Sequence, residues 1–357
     1  MGAYKSLVRP LLFRFDAETM HRAVLSACAV AAPAAQRFPA ERHPSLALDL
    51  AGLRFPAPVG LGAGFDKSGT ATRTLAALGF GSIEVGSVSS APSAGNPVRP
   101  RLFRLPADQA ILVFYGVPND GADAVAARLR GLRLPVPLGI SIIETNTGQP
   151  KSLDAVIGEF RAATRALAPL ADYVALNLQC PNSETSPPWT PSGVSALLSA
   201  IDPQRPVFLK VAASAEPAAI DALLQAVEPF PFVRGFILST LLSKPYASLR
   251  TPVDSLRQLP GSLSGAPLKM RARELVSAWY SRIDRKRHAL IAVGGVQSGE
   301  DAYALIRSGA TLVQLVTSLV YEGPRLPGRI HRQLAALLER DGFARVADAV
   351  GAAATAA

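Results

Sequence analysis

Cysteine and histidine are scarce in this chain of 357 residues, and those present are scattered. The two cysteines, Cys28 and Cys180, lie far apart in the sequence, and the four histidines form no cluster. This scarcity excludes a disulfide framework and leaves none of the ligand spacings that are typical of structural zinc sites. We therefore predict a reducing, cytoplasmic environment and no bound metal.

Long apolar runs are missing as well, since no stretch reaches the ~18 residues that a membrane-spanning helix needs. The first 40 residues nevertheless form a distinctive unit. Tyr4–Arg14 predicts a short helix interrupted at Pro10, and Asp16 can cap a second helix from Ala17 to about Ala32. Apolar side chains of the first segment fall on one side with basic residues around them, as in helices that lie on a membrane surface: Leu7, Leu11, Leu12 and Phe15. The alternative is a helical hairpin that packs on the rest of the protein.

Acidic residues are outnumbered, because 27 of them face 37 lysines and arginines, which gives a net charge of +10. The basic residues are dispersed, however, and the longest basic run is Arg285–Arg287, without interleaved aromatic residues. Nucleic-acid binding needs basic residues concentrated in a patch or stripe. We therefore expect no nucleic-acid partner.

Eight short strand-like runs dominate the remaining sequence, and most of them are followed by a helix-like segment. The runs are Pro58–Ala63, Ser82–Val88, Leu138–Ile143, Tyr173–Leu178, Val207–Ala212, Gly235–Thr240, Leu290–Gly294 and Leu312–Thr317. The helix-like segments are Lys67–Leu78, Leu153–Leu167, Pro217–Val227, Met270–Ile283 and Ser298–Ser308. This alternation predicts an α/β fold, a (β/α)8 TIM barrel over residues 41–340 with the N-terminal helical hairpin (1–40) as an extension. A doubly wound open sheet is the alternative, but no Gly-x-Gly-x-x-Gly motif follows the first run.

Three segments lie outside these eight units. Residues 45–56 alternate around Ala51-Gly52 and predict a hairpin that caps the bottom of the barrel. The segment 244–269 is too long for an ordinary loop, which indicates a functional role. The Ala-rich C-terminal tail, residues 341–357, is predicted to be frayed over its last dozen residues.

Polar residues follow the fourth strand-like run, where Asn177 is succeeded by Cys180 and Asn182. In a barrel, the C-terminal ends of the strands form the mouth at which catalysis takes place. A thiol and two carboxamides at the mouth can provide a general base and hydrogen-bonding partners for a flat polar substrate. The alternative interpretation is a buried cysteine followed by turn-forming asparagines.

Six motifs, in this order and spacing, resemble the dihydroorotate dehydrogenase family. They are Ala63–Lys67, Gly79–Ser87, Gly95–Leu105, Asn177–Asn182, Leu263–Leu268 and Val293–Val296. The resemblance extends from about residue 4 to residue 335. The N-terminal helical pair and His21 resemble the membrane-associated, quinone-reducing class 2 enzymes, in which these helices form a tunnel that brings quinone to FMN.

The resemblance implies oxidation of dihydroorotate to orotate in pyrimidine biosynthesis, with FMN as cofactor and quinone as electron acceptor. In the family a base removes a proton from C5 of dihydroorotate while a hydride passes from C6 to N5 of FMN. Class 2 enzymes use a serine as this base, and the matching residue here is Cys180, as in the class 1 enzymes, which use cysteine. The resemblance also implies a peripheral location on the inner face of the cell membrane.

The resemblance further implies which residues bind the ligands. The residues matching the FMN site are Ala63, Gly64, Lys67, Ser87, Ser141, Asn177, Lys210, Ser239, Gly265, Gly294, Gly295 and Thr317. The residues matching the substrate site are Lys67, Asn177, Asn182 and Thr240. Lys210 would stabilise negative charge on the reduced flavin, and the three glycines would let backbone N–H groups approach the phosphate.

Several residues depart from the family's pattern. Val113 and Val117 replace an asparagine and an aromatic residue, and Thr240-Leu241 stands where the family has Asn-Thr or Asn-Ser. Ser141 replaces a flavin-binding asparagine, and Glu144 takes the place of a lysine, which would weaken an anion site nearby. Two alternatives therefore accompany the main prediction. The chain could oxidise a less polar substrate in a pocket lined by Val113, Tyr115, Val117 and Leu241, or it could be a non-catalytic, membrane-associated barrel that no longer binds orotate or FMN.

Overall fold

The computed structural model describes residues 2–35, 41–178, 189–212, 214–240, 244 and 246–354. Its centre is a closed barrel of eight parallel strands, numbered among all strands of the chain. In order of sequence they are β3 (Val59–Leu61), β4 (Ile83–Val88), β7 (Leu138–Ile142), β8 (Tyr173–Asn177), β9 (Val207–Ala212), β10 (Val233–Ser239), β12 (Ala289–Val293) and β13 (Leu312–Leu315). β13 pairs with β3 and closes the barrel. The (β/α)8 prediction and all eight predicted strands are confirmed, because these runs are apolar enough to be buried on both faces.

Helices on the outside of the barrel cover the strands. They are α3 (Thr72–Ala77), α4 (Ala122–Leu129), α5 (Leu153–Leu167), α6 (Pro191–Ser199), α7 (Pro217–Val227), α9 (Lys269–Tyr280), α10 (Gly299–Arg307), α11 (Thr317–Glu322) and α12 (Leu326–Arg340). The predicted helix Lys67–Leu78 is wrong in its first turn, since the helix begins only at Thr72. Asp66 accounts for this difference, because its carboxylate accepts hydrogen bonds from the backbone N–H groups of Thr70 and Ala71 and from the Thr72 hydroxyl.

The N-terminal segment forms a π-helix (Tyr4–Val8), the short helix α1 (Arg9–Leu12) and the long helix α2 (Ala17–Ala35). Pro10 lies where the π-helix passes into α1, so the interruption predicted there coincides with a change of helix type. The predicted cap is confirmed, because Asp16 Oδ1 accepts a hydrogen bond from Thr19 N at 2.8 Å. The segment packs on the barrel through Tyr4, whose hydroxyl donates to Val320 O at 2.7 Å, and through Lys5, which pairs with Glu322 at 2.7 Å. Among the described residues, no helix is both long and apolar enough to cross a membrane.

A second, three-stranded antiparallel sheet was missed by the sequence analysis. It comprises β5 (Leu102–Leu105), β6 (Ala110–Val113) and β11 (Ser262–Gly265), with β6 in the middle. One face packs on a small core together with α8 (Val253–Arg257), and the other face carries Leu102, Arg104, Ile111 and Val113. The long segment 244–269 is therefore structured, because it supplies α8 and β11.

The segments before and after the barrel are both ordered against it. The predicted hairpin is confirmed as β1 (Leu48–Leu50) and β2 (Leu53–Phe55), with Ala51 and Gly52 both in the left-handed conformation that a tight two-residue turn requires. The prediction of a frayed C-terminal end is wrong up to residue 354. A 3-10 helix (Val346–Ala349) buries both of its terminal side chains completely, and Ala353 N donates to Arg307 O at 2.9 Å.

Candidate active site

One large cavity lies between the mouth of the barrel, the three-stranded sheet and the N-terminal helices, with a volume of about 660 Å³. Its inner end is formed by residues at or just after the C-terminal ends of barrel strands: Ala63, Gly64, Lys67, Ser87, Asn177, Lys210, Ser239, Thr240, Gly294, Gly295 and Thr317. Its outer end is formed by residues of the N-terminal helices: Tyr4, Val8, Leu12, Phe13, Met20, His21, Val24 and Cys28. The face of the three-stranded sheet that carries Leu102, Arg104, Ile111 and Val113 connects the two ends.

Glycines bring the backbone close to the cavity at the inner end. Gly294 and Gly295 follow β12, and Gly265 ends β11, all three with positive φ values of 108°, 74° and 118°. A Cβ at Gly294 would lie 2.4 Å from Thr240 Oγ1, and one at Gly265 would lie 2.5 Å from Gln109 O. Any side chain at these positions would therefore clash as well as strain the backbone.

Asn177, at the end of β8, is the centre of a buried polar chain. Its Nδ2 donates to Ser87 Oγ at 2.9 Å, and Ser87 Oγ lies 2.8 Å from Ser141 Oγ. Asn177 Oδ1 is buried without a hydrogen-bond partner among the described residues. Because a buried acceptor without a partner is costly, this oxygen is suited to a ligand that brings an N–H group.

Two lysines place positive charge in the inner end. Lys210 comes from β9 and is 9% exposed, and none of the described residues pairs with its ammonium in a hydrogen bond or salt bridge. Lys67 follows β3, and its Nζ donates to Gly64 O at 2.6 Å. A nearly buried ammonium that has no partner among the described residues favours a ligand that is anionic or becomes so during reaction.

Hydroxyl groups complete the inner end, but not all of them are available to a ligand. Thr240 Oγ1 donates to Val293 O at 2.7 Å, so the hydroxyl proton is already engaged by the protein. Ser264 Oγ and Thr317 Oγ1 lie 2.6 Å apart at the junction of β11 and α11, and both residues line the cavity. This pair can accept or donate further hydrogen bonds to a polar group.

The structure brings nearly all of the predicted site residues together. Every described residue predicted to bind cofactor or substrate lines the cavity, apart from Ser141, which is linked to it by its contact with Ser87. Cys180, Asn182 and Leu241 lie outside the described residues. Glu144 is buried outside the cavity, so its carboxylate is not part of the cavity surface.

The apolar departures from the family pattern lie on the cavity wall. Val113 is the last residue of β6, and Tyr115 and Val117 follow it in the chain. All three residues line the cavity. Val117 adopts a left-handed backbone with φ of 60°, which is unfavourable for a β-branched residue. This wall offers a ligand apolar contact where the family pattern has an asparagine.

Sequence reasoning missed a buried ion pair that fixes α2 to the sheet. Glu18 is 4% exposed and accepts hydrogen bonds from Arg101 at 2.5 Å and 3.1 Å, and a further one from Arg99 at 2.7 Å. Burial raises the pKa of Glu18, but the hydrogen bond and the charge of Arg101 lower it by more, so the pKa of Glu18 lies below its usual value.

Arg104, on the cavity face of β5, was missed by the sequence analysis as well. The alternation in Leu102–Leu105, followed by Pro106–Gln109 and a second apolar run, was the signal that could have revealed this hairpin.

His21 connects the N-terminal helices to the inner end. Its Nε2 lies 2.8 Å from Phe65 O and its Nδ1 lies 3.0 Å from the Tyr115 hydroxyl. Burial, followed by the charge of Lys67, lowers the pKa of His21 to about 3. The imidazole is therefore neutral at physiological pH.

The inner end fits a flavin nucleotide. Its glycines allow backbone N–H groups to approach a phosphate, and Asn177 Oδ1 can accept a hydrogen bond from a ring N–H. Lys210 can compensate negative charge on a reduced ring. Ser264 and Thr317 add hydroxyl groups beside Gly265. The donor set thus suits a planar, polar cofactor that carries a phosphate and gains negative charge on reduction.

Comparison with known proteins agrees with this geometry. The family model described as dihydroorotate dehydrogenase matches residues 45–338. A dihydroorotate dehydrogenase (quinone) of Sphingopyxis alaskensis is 41% identical, covering 98% of this chain and 97% of that protein, and one of Deinococcus deserti is 39% identical, covering 98% and 99%. The crystal structure of dihydroorotate dehydrogenase from Eimeria tenella in complex with ferulenol has a TM-score of 0.82 at 28% identity, covering 94% of this chain and 95% of that chain. The chain therefore belongs to the dihydroorotate dehydrogenase family, and the curated relatives that it matches along almost its whole length are of the quinone-dependent class.

Proposed function

We propose that this protein oxidises dihydroorotate to orotate, a step of pyrimidine biosynthesis, with FMN as its cofactor and a quinone as electron acceptor. The observation that carries this proposal is one cavity with two chemically different ends. The inner end presents Lys67, Lys210 and Asn177 Oδ1, which accepts no hydrogen bond from the described residues, whereas the outer end is mostly apolar. A polar substrate and a lipophilic acceptor can therefore reach the same cofactor from different sides.

When bound, FMN would supply the redox chemistry of the reaction, between hydride transfer from dihydroorotate and electron transfer to the quinone. Gly265, Gly294 and Gly295, with the hydroxyl groups of Ser264 and Thr317, would hold its phosphate. Lys210 would stabilise the negative charge that develops on the ring, since a fixed cation at low solvent exposure interacts strongly with such charge.

Cys180 would remove the proton from C5 of dihydroorotate. It follows Asn177, the last residue of β8, by three positions, although it lies outside the described residues. A thiol has a reference pKa of about 8.5 and gives up its proton far more readily than a hydroxyl. Lys67, Asn177, Asn182 and Thr240 would orient the substrate, and the engaged hydroxyl of Thr240 leaves its oxygen as an acceptor.

The outer end would receive the quinone, and the same helices would rest on the inner face of the membrane. Leu7, Leu11 and Phe15 are 71%, 55% and 54% exposed, which is unusual for large apolar side chains of one short segment. Arg14 accompanies them, and Lys5 and Arg9 add positive charge nearby, although Lys5 pairs with Glu322 and Arg9 donates to Tyr321 O. Exposed apolar residues with flanking cations are the arrangement by which helices bind anionic membrane surfaces.

The central experiment mixes FMN-loaded protein with dihydroorotate in the absence of oxygen and follows the flavin absorbance. Bleaching, followed by recovery of the absorbance on adding a quinone, is the expected result. A bound flavin that dihydroorotate does not reduce would favour a less polar substrate, to which the wall of Val113 and Val117 is suited. Protein that does not retain FMN at all would contradict both enzymatic hypotheses, oxidation of dihydroorotate and oxidation of a less polar substrate. It would favour the non-catalytic barrel.

Membrane association is tested separately by sedimentation with vesicles that contain anionic lipid. Replacing Leu7 and Leu11 by glutamate should release the protein from the vesicles. The matched control is Met270→Glu, which changes a residue of similar exposure, 63%, on α9. If both variants sediment like the unchanged protein, the N-terminal helices do not bind the membrane.

A further inference from the structure

Tyr115 makes an unusual contact with Lys67. The ammonium of Lys67 lies 4.0 Å from the centroid of the Tyr115 ring, and Arg101 Cζ lies 5.3 Å from the same centroid. Tyr115 is only 7% exposed. A cation over an aromatic face is attracted more strongly when both groups are shielded from water, so this contact contributes to where the ammonium lies.

The Tyr115 side chain is itself held at its far end by helix α2. Phe65 O can only accept a hydrogen bond, so the His21 proton must be on Nε2, which donates to it, and Nδ1 must accept from the Tyr115 hydroxyl. Burial lowers the pKa of His21 to about 3 and raises the pKa of Tyr115, so neither group changes protonation near neutral pH. The hydrogen bond between them therefore persists over the working range of the protein.

The backbone of Tyr115 is fixed as well. Asn96 N donates to Tyr115 O at 3.0 Å, and Asn146 Nδ2 donates to the next carbonyl, Gly116 O, at 2.8 Å. Asn146 Nδ2 also donates to Asn96 Oδ1 at 3.1 Å, which joins the two supports. With its backbone and its hydroxyl both held, the ring is a rigid surface on which the Lys67 ammonium rests.

We propose that Tyr115 is a positioning residue for Lys67, and that His21 on helix α2 fixes Tyr115 for this purpose. The N-terminal extension thereby helps to place a cation of the substrate site, in addition to forming the outer end of the cavity. This inference rests on the proposed function only in so far as Lys67 contacts the substrate. The contact of the ring with the lysine is a property of the protein alone.

The first test measures how Tyr115 and Lys67 depend on each other when orotate binds, from the perturbation of the spectrum of bound flavin. Tyr115→Leu should weaken orotate about five- to tenfold, because the cation–aromatic contact is lost. In a Lys67→Met background, the same Tyr115→Leu change should have little further effect. Equal losses in both backgrounds would overturn the proposal, because Tyr115 would then act independently of Lys67.

A second set of variants separates the ring from its hydroxyl. Tyr115→Phe keeps the ring over Lys67 and removes only the bond to His21, so it should weaken orotate about two- to threefold. His21→Phe removes the same bond from the other side. The double variant should be no worse than either single one, and additive losses would show that His21 does not act through Tyr115.

A third test needs neither flavin nor substrate. The rate at which an acylating reagent modifies Lys67, followed by peptide mass spectrometry, should rise several-fold in Tyr115→Leu and less in Tyr115→Phe. Tyr280→Leu is the matched control, because it removes another tyrosine–cation contact, that with Arg285, from a tyrosine that does not line the cavity. Unchanged labelling of Lys67 would overturn the proposal even if the protein is a dehydrogenase. Faster labelling in a protein that dihydroorotate cannot reduce would support it while contradicting the proposed function.

Discussion

The two ends of the cavity are built by different means. The inner end consists of residues at the ends of barrel strands, whose positions are fixed by parallel pairing such as Asn177 beside Lys210 on β8 and β9. The outer end comes from helices that are attached by polar contacts, such as Glu18 with Arg101 and Lys5 with Glu322, and by apolar packing of Leu25, Cys28 and Phe13. Polar groups that must be placed accurately thus lie on the rigid part, and the apolar surface that only needs to exclude water lies on the appended part.

This contrast predicts that a single substitution has a larger effect on ligand binding at the inner end than at the outer end. At the inner end one cation or carboxamide would make a specific interaction with the ligand, whereas at the outer end apolar contact is spread over several side chains. Val113 and Val117 break the pattern, because they bring apolar character to the wall beside the polar inner end. The predictions below test the contrast from the largest expected effect to the smallest.

Lys210→Met should cause the largest loss. Removing a fixed cation that stabilises developing negative charge lowers a rate by about 10²–10³-fold, so the anaerobic reduction of bound FMN by dihydroorotate should slow by this factor. Stopped-flow absorbance measures the rate directly. The control is Lys286→Met, which removes an exposed lysine outside the cavity. A rate within threefold of the unchanged protein would remove Lys210 from the reaction.

Val113→Asn combined with Thr240→Asn should tighten the binding of orotate. Each change offers a carboxamide where the wall now provides a methyl group or a hydroxyl already bonded to Val293 O. Two hydrogen bonds of about 0.5–1.5 kcal/mol each amount to roughly a five- to 140-fold gain. Titration of the FMN-loaded variant with orotate measures the gain. If the affinity stays the same, the apolar wall is not where the pyrimidine binds.

Much of the fold was predictable from the sequence because barrel strands are short apolar runs that stand out from their surroundings. The polar cluster after β8 (Asn177, Cys180 and Asn182) was predictable for the same reason, since the ends of parallel strands meet at one edge. The other ligand-binding residues were predicted from the resemblance to the dihydroorotate dehydrogenase family. The hairpin of β5 and β6 had a local signal that was missed, but the addition of β11 had none, because Ser262 of β11 pairs with Val113 of β6, which is remote in the sequence. The Glu18–Arg101 pair likewise joins two segments that are remote in sequence.

His21, which contacts Phe65 after β3 and Tyr115 after β6, should make stability fall as the pH decreases. Burial and the charge of Lys67 lower its pKa to about 3, so between pH 6.5 and 3 the unfolded chain binds more protons than the folded one. The contribution of His21 to the free energy of unfolding should therefore be complete above pH 6.5. Below pH 6.5 this contribution should fall by about 1.4 kcal/mol per pH unit.

Urea unfolding at pH 7.5, 6.0, 5.0 and 4.5 tests this prediction with His21→Gln as the comparison. The variant should show the shallower decline. A residual slope should remain, because burial also lowers the pKa values of His288 and His331 to about 4. Parallel curves for the two proteins would mean that His21 is not held neutral in the folded state.

The smallest effect concerns the backbone of the valine wall. Val117 is 8% exposed and Val113 is less deeply buried, so burial alone predicts that Val117→Gly costs more stability than Val113→Gly. Val117, however, has a φ of 60°, a conformation that disfavours a β-branched residue by roughly 1–2 kcal/mol and that glycine adopts freely. We therefore expect Val117→Gly to cost about 1 kcal/mol less than Val113→Gly, in which the strand β6 loses a favourable residue. Urea midpoints of the two variants decide between the explanations, and a larger cost at Val117 would show that burial outweighs backbone strain at this turn.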